Sequence, residues 1–170
     1  MSKSTPKSVL VDTTFLIHVF NPAAEFHAVA DKYYRYFCRH NITMRLSTVV
    51  ISEFHQKQSI MDVLGTNNFI PLPYNIDHAI TTADICYRLG GMDKRGEGVS
   101  RDAFKDDLKL MAQAEKESIT YIITADDSTL GKYCENLSKS GLYKPIVIKL
   151  SAGFDTSLFN GGQGALIDEE

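Results

Sequence analysis

Two carboxylates follow short apolar segments, each at a point where a buried strand would end. Asp12 comes directly after the segment 9–11, and Asp126 comes two residues after Thr124. Ligands of open α/β sheets bind at the carboxyl ends of the strands, so these aspartates are candidates for one shared site. The simpler interpretation is that each aspartate caps the helix that follows it. Asp12 fits that role poorly, because the two threonines behind it are themselves good caps.

Two further carboxylates lie in predicted helices with apolar surroundings. Glu53 stands within the apolar segment 49–54, and a buried carboxylate is unfavourable unless it is paired or bound to a cation. Asp107 shares a helical face with Leu108 and Met111, whereas Asp106 aligns with the outer face that carries Gln113. The alternative for Glu53 and Asp107 is an ordinary charged side chain at the edge of a solvent-facing surface.

Four carboxylates in one site repel each other unless a cation neutralises them. Oxygen ligands without accompanying Cys or His suit Mg²⁺ or Mn²⁺ better than zinc, and the five histidines form no HExxH motif. We therefore expect Asp12, Glu53, Asp107 and Asp126 to converge on one or two such ions and to form the catalytic site. Asp12 and Asp126 are the expected direct ligands, and the other two would hold bound waters or a second ion. Hydroxyl groups are expected to orient the carboxylates and waters, namely those of Thr13, Thr14, Thr124 and Ser128.

The elements that must position these residues alternate between strands and helices. Short β-branched runs at 9–11, 121–124 and 146–148, with weaker strands at 44–46 and 69–70, are separated by segments of helical periodicity. This alternation predicts an α/β fold, with a mainly parallel central sheet of about five strands and helices on both faces. We expect one domain over 1–150 and a loose, acidic, glycine-bearing C-terminal tail over 151–170.

Composition excludes several other classes of protein. The chain of 170 residues is 44% hydrophobic and 23% charged, which argues against disorder. No apolar run approaches the roughly 20 residues that span a bilayer, and the polar N-terminus carries no visible secretory signal. Three widely spaced cysteines suit reduced thiols, so we expect a cytoplasmic protein without a membrane partner. The net charge of −3 neither requires nor excludes a nucleic-acid partner.

Other enzyme classes lack their characteristic residues. A hydrolase of the haloacid dehalogenase type needs a second aspartate two residues after Asp12, where this chain has Thr14. No glycine fingerprint for dinucleotide binding follows the first strand, and no serine or cysteine stands in a nucleophile elbow.

Four segments resemble, in order, the motifs of the PIN-domain family. They are the first strand with its Asp12 turn, the segment 47–53 ending in Glu53, the segment 107–114 beginning at Asp107, and the segment 123–126 ending in Asp126. Their order and spacing resemble VapC-type toxins over about residues 8–150. The resemblance implies a three-layer PIN-like fold and a metal-dependent endoribonuclease that assembles as a homodimer and often pairs with a small antitoxin protein. Ser128 departs from the pattern, because a further aspartate is frequent there.

A basic loop precedes the helix that bears Asp107. The segment 93–101 combines two glycines with Lys94, Arg95 and Arg101. We expect it to border the site and bind single-stranded RNA; the alternative is an ordinary solvated loop.

The predicted helix over 26–37 carries more aromatic surface than one helix face can bury. It contains Tyr33, Tyr34, Tyr36 and Phe37. This excess predicts a homodimer with a self-complementary contact through this helix, unless neighbouring elements cover the rings. For the protein as a whole, the alternative function is a non-catalytic PIN-like module that binds RNA or a protein.

Overall fold

A computed structural model describes residues 7–159 and contains one parallel sheet. Its strands are β1 (Ser8–Val11), β2 (Thr43–Ser47), β3 (Phe69–Leu72), β4 (Tyr121–Thr124) and β5 (Ile146–Lys149), in the spatial order β3-β2-β1-β4-β5. All four strand pairings are parallel, so the carboxyl ends of the strands lie along one edge. The predicted five-stranded α/β fold is confirmed.

Helices connect the strands. Within the described residues they are α1 (Thr13–Phe20), α2 (His27–Arg39), α3 (Thr48–His55), α4 (Ile60–Gly65), α5 (Ile76–Arg88), α6 (Arg101–Lys116) and α7 (Leu130–Lys139). Val9, Leu10 and Val11 of β1 are fully buried, and successive side chains of a strand point to opposite faces. Both faces of the sheet are therefore covered, as predicted. No helix among residues 7–159 is long and apolar enough to cross a membrane.

The chain returns to the domain after β5. Phe159 is 5% exposed, and its ring centroid lies 5.2 Å from that of Tyr36 and 5.7 Å from that of Phe37. Phe154 contacts Tyr33 edge-on at 4.9 Å. Two aromatic rings of the segment 151–159 thus lie against α2, although most of the segment is exposed, and the division into a domain over 1–150 and a loose tail stays a prediction. The remainder of the predicted tail, 160–170, lies outside the described residues.

The aromatic rings of α2 are covered largely by the same chain. Tyr33 and Phe37 are buried, Tyr36 is partly covered by the C-terminal segment, and Tyr34 stacks on Phe69 at 5.9 Å. The aromatic rings that led us to expect a dimer through α2 thus pack against other parts of the same chain. Packing under neighbouring elements, the alternative considered above, accounts for these rings.

Candidate functional site

Asp12 ends β1 and begins α1. Its Oδ1 accepts a hydrogen bond from the Thr13 amide (2.7 Å), and its Oδ2 accepts from the hydroxyls of Thr14 (2.7 Å) and Thr124 (2.8 Å). Asp12 is therefore the N-cap of α1, contrary to the expectation that the threonines would cap. Burial raises the pKa of this carboxyl despite the hydrogen bonds that lower it, and the charge of Glu53 adds to the rise.

Asp126 is held by the turn that follows β4. Its Oδ1 accepts from the amide and hydroxyl of Ser128 and from the Thr129 amide, each at 2.9 Å, and its Oδ2 accepts from the Thr129 hydroxyl. Burial acts to raise the pKa of Asp126, but these hydrogen bonds outweigh it and leave the pKa below its usual value. Thr129 is a site residue that the sequence analysis missed. An aspartate followed two and three residues later by Ser or Thr is its signal, because such residues close an Asx turn.

Glu53 lies at the outer edge of the site. Ser47 caps α3 by accepting from the Val49 amide (3.0 Å), and burial of Phe54 leaves the Glu53 side chain 43% exposed. Its Oε2 accepts from the Thr13 hydroxyl (2.6 Å), while Oε1 lies 3.9 Å from Lys57 Nζ. Glu53 is thus joined to the residue next to Asp12, and its side chain is partly exposed.

Burial and neighbouring charges strongly raise the pKa of the Asp107 carboxyl. Helix α6 buries Leu108 and Met111, and this brings Asp107 Oδ2 into the interior, where it has no hydrogen-bond partner. Burial is the largest cause that raises its pKa to about 8, and the charge of Asp12 is the next. The charges of Asp126 and Glu53 also raise it, whereas the Thr129 side chain lowers it. The charges of the three other predicted carboxylates thus act on Asp107, and that of Glu53 also acts on Asp12.

The two faces of α6 differ from the prediction at one residue. Asp106 pairs with Lys109 (2.7 Å) on the outer side, as expected. Gln113 is fully buried instead of facing outward. Its side chain accepts from the Ser47 hydroxyl and donates to the Leu72 carbonyl (3.1 Å), so it gives two buried polar groups at the ends of β2 and β3 a partner.

The donor set suits a hard, partly hydrated cation. Among residues 7–159, no three Asp, Glu, His or Cys side chains are arranged closely enough to enclose a metal ion by themselves. Mg²⁺ commonly binds only one or two carboxylates and keeps several waters, so an unpartnered buried carboxylate oxygen fits such an ion. Burial raises the pKa of the neighbouring Cys134 thiol, with the charge of Asp107 adding to it, which leaves oxygen as the available donor.

The basic loop is exposed and attached to α7. Lys94, Arg95 and Arg101 are all exposed, and the Gly96 amide donates to the Tyr133 hydroxyl (3.1 Å). Helix α7 begins directly after the turn that holds Asp126. An RNA-binding role for the three basic residues stays a prediction.

Comparison with known proteins identifies the fold. No protein-family model and no curated protein sequence matches the chain. Several solved structures are similar to it. VapBC2 from Rickettsia felis, bound to a DNA fragment from its promoter, is 12% identical over 84% of this chain and 98% of that chain, with a TM-score of 0.56. VapBC-1 from nontypeable Haemophilus influenzae is 15% identical over 85% of this chain and 98% of that chain, with a TM-score of 0.54.

A third similar structure is described by its activity. VapC20 from Mycobacterium tuberculosis, a sarcin-ricin loop cleaving toxin, is 15% identical over 71% of this chain and 91% of that chain, with a TM-score of 0.50. At such identities the likeness concerns the fold. The predicted resemblance is confirmed at that level: this chain has the α/β fold of the VapC PIN-domain toxins.

Proposed function

We propose that the protein is a divalent-metal-dependent endoribonuclease that hydrolyses phosphodiester bonds of RNA. The observation that carries the proposal is the buried Oδ2 of Asp107, which has no partner and lies within reach of three other carboxylates. Such a cluster is unfavourable for folding, and a module that only binds has no need to keep it. Perturbed carboxyl groups of this kind are typical of catalytic sites.

The residues divide into ligands and supports. We infer that Asp107 and Asp12 would bind Mg²⁺ or Mn²⁺ directly, while Glu53 and Asp126 would bind its waters. This differs from the sequence-based assignment, because Asp126 already accepts four hydrogen bonds and Asp12 three, whereas Asp107 Oδ2 accepts none. A bound divalent ion would polarise the scissile phosphate and lower the pKa of an attacking water from about 15.7 toward neutrality.

The protein groups around the carboxylates set their orientation. The hydroxyls of Thr14 and Thr124 fix Asp12, and that of Thr13 fixes one oxygen of Glu53. The other oxygen of Glu53 is left to orient a water and accept its proton. Asp107 must lose its proton when the cation binds, since only the carboxylate form is a good ligand.

The similar structures support the proposed substrate and partner. RNA is supported by VapC20, which is described as cleaving the sarcin-ricin loop. A small antitoxin protein is supported by the VapBC toxin–antitoxin assemblies that share the fold. An RNA substrate and three free cysteines support a cytoplasmic location for the proposed activity.

A pair of adjacent residues on α6 provides the test. Asp107→Asn should abolish Mn²⁺-dependent cleavage of a single-stranded RNA, and Asp12→Asn should do the same with the fold retained by circular dichroism. Asp106→Asn is the matched control, because Asp106 faces outward and pairs with Lys109; it should cleave at the wild-type rate. Titration calorimetry with Mn²⁺ alone distinguishes the nuclease from the alternative, a non-catalytic binding module. Absence of any Mn²⁺ binding would favour the non-catalytic module. Undiminished cleavage by the Asp12 and Asp107 variants would place the activity elsewhere.

A further inference from the structure

Tyr133 of α7 lies where the basic loop (93–101) meets the helices of the candidate site. Only 5% of Tyr133 is exposed, and its hydroxyl accepts a hydrogen bond from the Gly96 amide (3.1 Å). Its ring contacts Phe104 of α6 edge-on, with 5.1 Å between the ring centroids. Tyr133 therefore touches both the basic loop and the helix that bears Asp107.

The basic loop has few attachments to the rest of the domain. Only Gly96 and Val99 of the loop are partly buried, and the Val99 amide closes a turn by donating to the Gly96 carbonyl (3.1 Å). A Cβ at position 96 would lie 3.1 Å from Val99 Cγ2 and 3.7 Å from the Tyr133 hydroxyl oxygen, so this turn packs closely. Within residues 7–159, the bond to Tyr133 is the one hydrogen bond that joins the segment 95–99 to another helix or strand.

The first turn of α7 connects Tyr133 to Asp126. The Tyr133 amide donates to the Thr129 carbonyl (2.9 Å), and the Thr129 amide and hydroxyl both donate to the Asp126 carboxylate. The Gly131 amide donates to the Asp126 carbonyl (3.0 Å), and a Cβ on Gly131 would lie only 2.8 Å from that carbonyl oxygen. Because this approach leaves no space for a larger residue, the position of Tyr133 is closely tied to that of Asp126.

We propose that Tyr133 is a positioning residue, which holds the basic loop in register with the carboxylates so that Arg95 and Arg101 bind a phosphate of single-stranded RNA. This inference rests on the proposed nuclease function. The hydrogen bond orders the loop before RNA binds, so RNA binding does not have to supply that ordering free energy. A loop released from Tyr133 spends a smaller fraction of time in the binding-competent arrangement, and the apparent RNA affinity falls by that fraction. Tyr133 acts through the loop and does not touch the reacting atoms.

Removing one hydroxyl from either of two equally buried tyrosines tests this role. Tyr133→Phe keeps the ring and deletes only the group that accepts from Gly96. Tyr143→Phe is the matched control, because Tyr143 is also 5% exposed and its hydroxyl donates to the Met111 carbonyl of α6 (2.8 Å), away from the loop. For Mn²⁺-dependent cleavage of a single-stranded RNA, Tyr133→Phe should raise KM about fivefold, as for one lost hydrogen bond, without a matching loss of kcat. Tyr143→Phe should leave KM at the wild-type value.

Two further measurements separate positioning from a general loss of stability. Hydrogen exchange at the Gly96 amide should accelerate by about tenfold or more in Tyr133→Phe and keep its wild-type rate in Tyr143→Phe, because only the first change releases this amide. When the three basic residues of the loop are replaced by Ala, adding Tyr133→Phe should raise KM no further, because the hydroxyl acts only through the loop.

The opposite results contradict the inference. Equal effects of the two Tyr→Phe changes on KM would reduce Tyr133 to a structural role, and a lower kcat at unchanged KM would place its action on the reacting groups. Additive effects with the loop variant, or unchanged exchange at Gly96, would show that Tyr133 does not act through the loop. If the wild-type protein cleaves RNA and Tyr133→Phe keeps its KM, only this inference fails. Absence of RNA cleavage by the wild-type protein would instead contradict the proposed function itself.

Discussion

The Asp107 carboxyl holds a proton at neutral pH in the protein without bound cations, because burial and neighbouring negative charges raise its pKa to about 8. In the unfolded chain its pKa returns to about 3.8. Between these values the folded state binds a proton that the unfolded state has lost, so the free energy of unfolding decreases as pH rises through this window. Asp12, whose pKa burial also raises, acts in the same direction. The site is therefore a stability cost at the pH of its proposed activity.

We predict that Asp107→Asn stabilises the metal-free protein at neutral pH. A neutral Asn side chain avoids the free-energy cost of burying a carboxyl group that is ionised in the unfolded chain. A shift of one pKa unit corresponds to a free-energy difference of about 1.4 kcal/mol. We expect a gain of about 2 kcal/mol, which raises the melting temperature by about 4–8 °C for a chain of this size. Thermal melts in EDTA from pH 5 to 8 would measure it. The difference from wild type should grow with pH; a constant difference would contradict the raised pKa.

At the scale of elements, Gln113 joins α6 to the ends of two strands. Its side chain bonds Ser47, the N-cap of α3, and the Leu72 carbonyl at the end of β3. The site depends on this junction, because α3 carries Glu53 and α6 carries Asp107. Gln113, which the sequence predicts on the outer face of α6, thus joins α6 to the start of α3.

We predict that Gln113→Leu destabilises the fold. The substitution leaves the buried Ser47 hydroxyl and Leu72 carbonyl short of partners, at a cost of about 2 kcal/mol. Chemical denaturation would show a lower midpoint at an unchanged slope. The double variant with Ser47→Ala should be less destabilised than the sum of the two single changes, because the two side chains share one interaction. Strict additivity would contradict the contact.

The basic loop between α5 and α6 gives a second element-scale prediction. Replacing Lys94, Arg95 and Arg101 together by Ala should weaken binding of single-stranded RNA and reduce the salt dependence of the affinity by about 0.7 for each phosphate that the loop no longer neutralises. Fluorescence anisotropy at several salt concentrations measures both. Replacing the exposed Lys57, near Glu53, by Ala is the control for the loss of positive charge outside the loop. An unchanged salt slope in the triple variant would favour the ordinary solvated loop.

At the scale of the whole molecule, the C-terminal segment completes the core around α2. The Tyr121 hydroxyl donates to the Leu158 carbonyl (2.8 Å), and that of Tyr33 donates to the Gly153 carbonyl (3.0 Å). These bonds, with the rings of Phe154 and Phe159, join the last described residues to β4 and α2. The C-terminal segment is distant from α2 in sequence. It nevertheless covers part of the helix that we expected to form a dimer contact.

We predict that Phe159→Ala destabilises the protein by about 3 kcal/mol or more, since it removes a buried aromatic ring and leaves a cavity. The melting temperature should fall by about 6–12 °C. Leu158→Ala is the matched control, because Leu158 is 40% exposed, and its effect should be small. Equal effects of the two changes would contradict the burial of the Phe159 ring. RNA cleavage by the folded fraction should be unchanged in both.

Sequence by itself determined the order of strands and helices and the positions of Asp12, Glu53, Asp107 and Asp126 along it. These features are local: β-branched runs form buried strands, capping residues begin helices, and parallel strands must end at one edge. Three of the four hydroxyl partners of Asp12 and Asp126 are also local, because they lie within three residues of the carboxylate they bind, although Thr129 was missed.

Only the tertiary structure decided which surfaces meet. The pKa of Asp107 depends on charges carried by three other elements. Gln113 is buried because the ends of β2 and β3 need its amide, and α2 is covered by rings more than a hundred residues away. Helix α5 buries Ile85 and His78, and the hydrogen bond from His78 to Glu117 and the Arg88–Glu115 ion pair hold that face against α6 and its end. Periodicity defines the faces of an element, but the partner of each face depends on contacts between residues distant in sequence.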